Sequence, residues 1–115
     1  MASSTPKTFA IEKQLSTVAL TIHSPSAASE IGVFSTLSFY NTNTTTSREV
    51  TVYRVKSGGT AGTTNILDRQ SIAPQSRWIC IPAINSVVEF GESLQAVQDT
   101  GTDVNVNASG SRVLT

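Results

Sequence analysis

A chain of 115 residues has room for one domain of ordinary size. Its eight basic and eight acidic residues give a formal net charge of zero, so there is no basic surplus to attract nucleic acid. No apolar run reaches the roughly 18 residues of a membrane-spanning helix, and the first residues lack the charged and apolar segments of a signal peptide. We therefore expect neither a nucleic-acid nor a membrane partner, and synthesis in a cytoplasm.

The first residues are small and polar and include Pro6. They predict a flexible N-terminal arm over residues 1–7, followed by a single domain over 8–115. Phe9–Ile11 is a short apolar run, and apolar and polar residues alternate over Val18–Ile22, which predicts a half-buried strand. Ser24-Pro25-Ser26 ends that strand.

The segment Ile31–Tyr40 is a second strand candidate. Strict alternation places Leu37 and Phe39 on one face and Phe34 and Tyr40 on the other. Because both faces carry an aromatic side chain, the pattern predicts a central strand or one whose second face meets a partner.

The clearest signal is the alternation over Arg48–Val55, followed by the glycine-rich stretch 57–62. Glycine accepts positive φ without steric cost, so glycines after an alternating run indicate a tight loop. We interpret 48–72 as a hairpin whose second strand is Asn65–Ile72. Val50, Val52 and Val55 are predicted structural residues.

The remaining residues continue in short segments. Apolar or alternating stretches lie at Arg77–Ile81, Ser93–Gln98 and Val104–Ala108, the last resuming after Gly110 as Arg112–Thr115, whereas Ile84–Phe90 is ambiguous between strand and irregular packing. About eight short strands without a helical period predict an all-β fold, a single antiparallel β-sandwich of jelly-roll or immunoglobulin-like Greek-key type. A barrel is the less favoured alternative.

No catalytic chemistry is apparent. His23 and Cys80 are the single histidine and cysteine, so one chain cannot assemble a zinc site or a Cys-His dyad. Glu89 and Glu92 flank a turn glycine, and the run Asp99–Asn105 resembles a calcium loop only loosely. We interpret both as ordinary turns. No enzyme activity, catalytic residue, cofactor or metal is predicted, and Cys80 is expected to be a buried thiol.

Most aromatic side chains are expected in the core. The best candidates for a contact surface are Tyr40, Tyr53, Arg54, Gly58 and Gly59, because the tyrosines fall on faces opposite the main apolar ones and the glycines form an exposed loop.

Four stretches occur in a recognisable order: Leu37–Thr42, Val50–Gly62, Ser71–Pro74 and Gly91–Ala96. From about residue 31 onward the chain resembles small β-sandwich proteins encoded among the structural genes of tailed bacteriophages. It departs from them at Gln75, where similar chains have glycine after Ala-Pro, and in carrying Trp78 and Cys80.

The resemblance implies a non-enzymatic virion protein, assembled in the host cytoplasm. The leading hypothesis is a capsid decoration or cement protein, a homo-oligomer with a trimer favoured, whose partner is the major capsid protein or another virion subunit. The alternatives are a neck, collar or tail subunit, and a carbohydrate-binding fibre module using Trp78 beside Arg77.

Overall fold

Nine β-strands and one short 3-10 helix make up the regular structure of residues 3–114, the part of the chain that the computed structural model describes. The strands are β1 Ser3–Gln14, β2 Leu20–His23, β3 Glu30–Asn41, β4 Arg48–Val55, β5 Ile66–Ile72, β6 Arg77–Ile79, β7 Val87–Glu89, β8 Ser93–Gln98 and β9 Val104–Leu114, and the 3-10 helix is Ile81–Ala83. The described residues contain no helix long and apolar enough to cross a lipid bilayer.

The strands pair as one ribbon folded back on itself. From its closed end outward, β4 pairs with β5, β3 with β6, β2 with β8 and β1 with β9, all antiparallel. Successive pairs fall into opposite sheets, giving sheet A in the order β1-β9-β3-β6 and sheet B in the order β2-β8-β4-β5, while β7 also joins sheet A through β3. The predicted antiparallel β-sandwich is confirmed, and this nested order is that of a jelly roll.

The core lies between the two sheets. Val50 and Val52 of β4 and Leu94 and Ala96 of β8 are fully buried, as period-two alternation with one inward face requires. Sheet A contributes Phe34, Leu37, Phe39, Val104 and Val106, all at 0% exposure, of which the two phenylalanines are the largest. The predicted structural residue Val55 is also buried.

A register shift in β3 changes which of its side chains share a face. The pairing of β3 with β9 skips a residue between Phe34 and Thr36. A bulge of this kind reverses the alternation that follows it, so Phe34 and Phe39 both point into the core. Strict alternation predicted them on opposite faces, which is wrong for this reason. Tyr40 stays on the outer face, half-buried.

Strand β1 begins earlier than the apolar pattern indicates. Ser3–Thr8 pairs in continuous register with Ser109–Leu114 of β9. Residues 3–7 of the predicted arm therefore lie in a paired strand, although their side chains are exposed. Met1 and Ala2 of the predicted arm fall outside the described residues. Ser3–Lys7 form this strand because β9 supplies backbone partners, which requires no apolar pattern.

Strand β9 runs without a break through Gly110, which the sequence suggests as an interruption. A Cβ at Gly110 would lie 1.9 Å from the carbonyl oxygen of Val33 on β3. The absence of a side chain is what lets β9 approach β3 at this point. Gly110 therefore joins the two halves of β9 in one strand.

We expect Gly110→Ala to lower the free energy of unfolding by more than about 2 kcal/mol, because the new methyl group forces β9 away from β3. Gly62→Ala is the matched control, since a Cβ there meets nothing within 4 Å. Urea unfolding of both variants measures the difference. Equal stabilities within about 0.5 kcal/mol would contradict the close approach at Gly110.

Candidate functional site

The five residues predicted as contacts do not form one surface. Tyr40 lies on the outer face of β3 in sheet A, whereas Tyr53 and Arg54 lie in β4 of sheet B. Gly58 and Gly59 are exposed in the loop that follows β4. Tyr53 is half-buried, as is Tyr40. The structure brings Arg54 and Gly59 together and leaves Tyr40 apart from them.

Arg54 and Gly59 border a cavity of about 430 Å³ beside the loop between β4 and β5, together with Lys56, Thr60, Thr64 and Asn65. Asn65 holds the loop in shape: its Oδ1 accepts from the Gly62 amide at 2.9 Å, and its Nδ2 donates to the Thr60 carbonyl at 2.7 Å. Gly58 has a φ of 77°, the left-handed region that favours glycine. The sequence prediction of a glycine turn is confirmed.

Arg54 also covers the outer edge of β7. Its Nη2 donates to the Val87 carbonyl at 2.6 Å and lies 3.5 Å from Glu92 Oε1. The same Glu92 oxygen accepts from the Glu89 amide at 2.9 Å. Two backbone groups of a short edge strand are thereby occupied by side chains, which blocks the addition of another strand there.

A second cavity, also of about 430 Å³, opens on the outer face of sheet A. We call it the outer-face cavity. Its lining includes Leu37, Ile79 and Ile84, with Ser38, Arg77 and Asn107 as polar members. Ile79 is 50% exposed and the nearby Ile81 is 67% exposed. This is an apolar depression with exposed apolar neighbours, the typical composition of a protein contact surface.

Side chains of the segment 77–81 alternate between the core and the outer face, and two isoleucines are on the outer face. Trp78 packs against the core, with its ring stacked on Phe39 at 5.3 Å between centroids, and Cys80 is fully buried. Ile79 and Ile81, on the alternate positions, are therefore the exposed ones. Arg77 points away from Trp78, over the Tyr40 ring at 5.9 Å. Trp78 and Arg77 thus do not form a joint sugar platform.

Phe90 differs from the expectation that most aromatic side chains are in the core. It is 53% exposed in the turn between β7 and β8. The following Gly91 has a φ of 88°, so the chain reverses sharply directly after the ring. An exposed large aromatic side chain on a tight turn is a feature of contact surfaces.

The acidic residues that suggest a calcium loop accept hydrogen bonds from other groups of the same chain. Asp103 accepts from Arg48 Nε at 3.0 Å, from Asn43 Nδ2 at 2.8 Å and from Gln98 Nε2 at 2.8 Å. The Arg48 guanidinium holds the pKa of this carboxyl well below its usual range. Asp99 Oδ1 accepts two backbone amides. Residues 3–114 hold no group of three or more metal-binding side chains.

Cys80 and His23 are buried groups without an evident contact role. Burial raises the pKa of the Cys80 thiol to about 11, so the thiol stays protonated and unreactive at neutral pH. The His23 ring packs against Phe9 with 4.2 Å between centroids and a tilt of 31°, and its Nε2 has no hydrogen-bond partner within residues 3–114. Burial lowers the pKa of His23, the charge of Lys7 lowers it further, and Glu30 opposes both.

No protein-family model matches the chain, and the search of curated proteins returned no match. Several solved structures resemble its fold, and two of them have a TM-score above 0.5. One is described as "Bacillus endospore appendages form a novel family of disulfide-linked pili", with 14% identity, a TM-score of 0.53, and coverage of 100% of this chain and 90% of that chain. The other is a chain of infectious bursal disease virus, Gx strain, with 15% identity and a TM-score of 0.51.

The viral match covers 98% of this chain but only 32% of the viral chain, so the chain spans about a third of that protein. At these identities the likeness concerns the fold. It agrees with the fold that the phage resemblance implies, a two-sheet β-fold, which virus and appendage structures also contain. The tailed-phage assignment stays a prediction. The disulfide link of the pili has no equivalent through Cys80, which is the single cysteine and is buried.

We expect Cys80 to resist a thiol-specific reagent such as DTNB in the native protein and to react fully once the protein is unfolded in urea. Burial and the raised pKa both keep the reactive thiolate scarce in the folded state. An absorbance assay of labelling measures the difference. Rapid labelling of the native protein would contradict the buried position.

We expect the free energy of unfolding to decrease as the pH falls from 7 to 5. In the folded state the pKa of His23 is lowered from its ordinary value of 6.5. As the pH falls below that value, the unfolded chain therefore binds a proton at His23 more readily than the folded chain does. The slope reaches at most about 1.4 kcal/mol per pH unit. His23→Leu removes the titrating group and flattens this slope in urea titrations. A slope unchanged by the substitution would show that other groups cause it.

Proposed function

We propose that the chain is a non-enzymatic structural subunit of a virus particle, a decoration or cement protein that binds the major capsid lattice of a tailed bacteriophage. In this role it is assembled in the host cytoplasm and acts in the virion. Its partners are the major capsid protein, or other virion subunits, and further copies of itself.

The observation that carries the proposal is the exposure of large apolar side chains. Five of them are at least half exposed: Ile11, Val18, Ile79, Ile81 and Phe90. Ile11 lies in β1 and Val18 between β1 and β2, Ile79 and Ile81 lie at the end of β6 and just after it, and Phe90 lies in the turn after β7. A small chain with zero net charge has little charge repulsion to keep such surfaces apart. Permanent neighbours in an assembly would cover them.

The jelly-roll topology supports the same reading, since viral coat domains use it, although lectin domains and cupins do as well. The acidic side chains that could suggest a catalytic or metal site are bonded to other residues of the fold. Asp103 is bonded to Arg48, and Glu92 is bonded to the edge of β7. These polar groups serve the fold, as expected of a scaffold that acts through its surfaces.

The proposed homo-oligomer is supported by the presence of apolar surface on several sides of the molecule. A trimer is the arrangement that the sequence analysis favours. Three copies related by one rotation axis would each use two different surfaces, which fits exposed residues on separate sides better than a single patch would.

A second candidate is a subunit of a filamentous appendage. The likeness to the endospore appendage structure supports it, because that match extends over nearly all of both chains. The third candidate is a neck, collar or tail subunit of a virion. Copy number per particle separates the neck or collar position from the decoration role: hundreds for a decoration protein, and about a dozen or fewer for a neck ring.

The test of the leading proposal is co-sedimentation with empty capsids built from the major capsid protein of the same genome. We expect saturable binding, and we expect Ser substitution of at least one of Ile11, Val18, Ile79, Ile81 and Phe90 to weaken it about tenfold or more. Thr44→Ser, at an exposed polar position, is the control and should bind like the wild type.

Protein that stays in the supernatant at all concentrations would overturn the decoration role. Binding that none of the five substitutions changes would show that the exposed apolar residues are not the contact. Decoration of filaments instead of capsids in cell extracts would favour the appendage.

A further inference from the structure

The outer-face cavity lacks an occupant within residues 3–114. The Leu37 side chain is buried in the core, so the apolar side chains that an incoming group can reach are the half-exposed Ile79 and the partly exposed Ile84. Arg77 is the charged residue of the lining, and none of the lining residues is acidic. The surface would therefore accept an apolar group accompanied by a negative charge.

Arg77 is unusual among the five arginines of the chain. Arg48, Arg54, Arg69 and Arg112 each have a carboxylate within 4 Å. Among the described residues Arg77 has no carboxylate partner, and its Nη1 donates to Ser38 Oγ at 3.5 Å. Its guanidinium lies over the Tyr40 ring and beside the cavity, so it is available to an anionic group from outside the chain.

The turn between β7 and β8 has the complementary chemistry. Glu89 and Phe90 are both exposed, and Glu89 has no ion-pair partner within residues 3–114. The turn is held by its own bonds: the Glu92 amide donates to the Glu89 carbonyl at 2.9 Å, and Glu92 Oε1 accepts from the Glu89 amide. A knob that is rigid before it binds loses little entropy on docking. We call it the Glu89–Phe90 knob.

The knob cannot reach the cavity of its own chain. Glu89 is paired with Ile31, and the cavity lies at Leu37 and Ser38, further along β3. Seven residues of extended strand separate these positions by about 20 Å. A contact between the two surfaces must therefore join different molecules. Because the surfaces are unlike, the contact is head-to-tail, and repeating it gives a closed ring or an open filament.

We propose that the Glu89–Phe90 knob of one copy docks in the outer-face cavity of the next copy, with the Phe90 ring against Ile79 and Ile84 and the Glu89 carboxylate paired with Arg77. This contact deepens the proposed structural role by naming the surfaces that join its subunits, and it rests on that role. A ring built on it corresponds to the favoured trimer, and an open filament to the appendage.

The first experiment mixes two variants, each defective on one side. Phe90→Ser removes the knob, and Ile79→Asp places a charge at the cavity. The wild type should form species larger than a monomer by size-exclusion chromatography with light scattering, and each variant alone should be monomeric. Their equimolar mixture should form a 1:1 dimer and nothing larger, because one intact contact remains.

Ile11→Ser is the matched control, since Ile11 is an exposed apolar residue on β1, at the other edge of sheet A, and this variant should assemble like the wild type. Thermal unfolding checks that all three variants stay folded, as expected for exposed positions. A monomeric wild type, variants that assemble normally, or a mixture that stays monomeric would each overturn the proposal.

The second experiment exchanges the two charges. Glu89→Arg and Arg77→Glu should each weaken association about tenfold, and the double variant should recover most of that loss. A double variant no better than the product of the single effects would remove the Glu89–Arg77 pair from the contact. These measurements use the purified chain alone, so a failure to bind capsids leaves them unaffected. Conversely, capsid binding by a monomer would retain the decoration role and overturn the knob contact.

Discussion

The fold depends on the close pairing of β9 with β3. Eleven residue pairs join them, from Glu30 with Leu114 to Asn41 with Val104, and Gly110 permits the closest approach against Val33. Sheet A is organised around this pair: β1 lies on the far side of β9, and β6 and β7 lie on the far side of β3. The buried valines of β9 and the phenylalanines of β3 then form one continuous inner surface.

Polar groups fix the two ends of the sandwich in different ways. Near the start of β4, Asp103 gathers Arg48, Asn43 and the fully buried Gln98 into one hydrogen-bonded cluster. Near its end, Arg54 and Glu92 occupy the outer edge of β7. Exposed ion pairs of this second kind contribute at most about 1 kcal/mol to stability. Their value lies in keeping that edge closed, so that no further strand can pair with β7 there.

Much of the fold could be predicted from the sequence, because alternation reports directly on a half-buried strand. It located β4, β5 and β8 and the glycine turn between β4 and β5. It missed the first half of β1, whose pairing depends on β9 and leaves no apolar pattern. It also misplaced Phe34 relative to Phe39, since a single bulge reverses all later positions in β3.

The candidate site was much less predictable. Arg54 was predicted as a contact, yet its partners are Val87 and Glu92, distant in sequence and invisible to a local pattern. Ile79 read as part of an apolar strand; only the inward stacking of Trp78 on Phe39 shows that Ile79 faces outward. The outer-face cavity combines residues of β3, β6 and β9 with Ile84, so it exists only after folding.

The nested ribbon also dictates when the protein can fold during its synthesis. The strand that joins β1 to β3 is synthesised after the other eight described strands, and Ser3 pairs with Leu114. Sheet B draws all its strands from residues before 99, so it can pair while β9 is still inside the exit tunnel. Such long-range closure is intrinsically slow. Sheet A, and with it the outer-face cavity that Asn107 of β9 helps to line, is therefore completed only after every strand of sheet B has been synthesised.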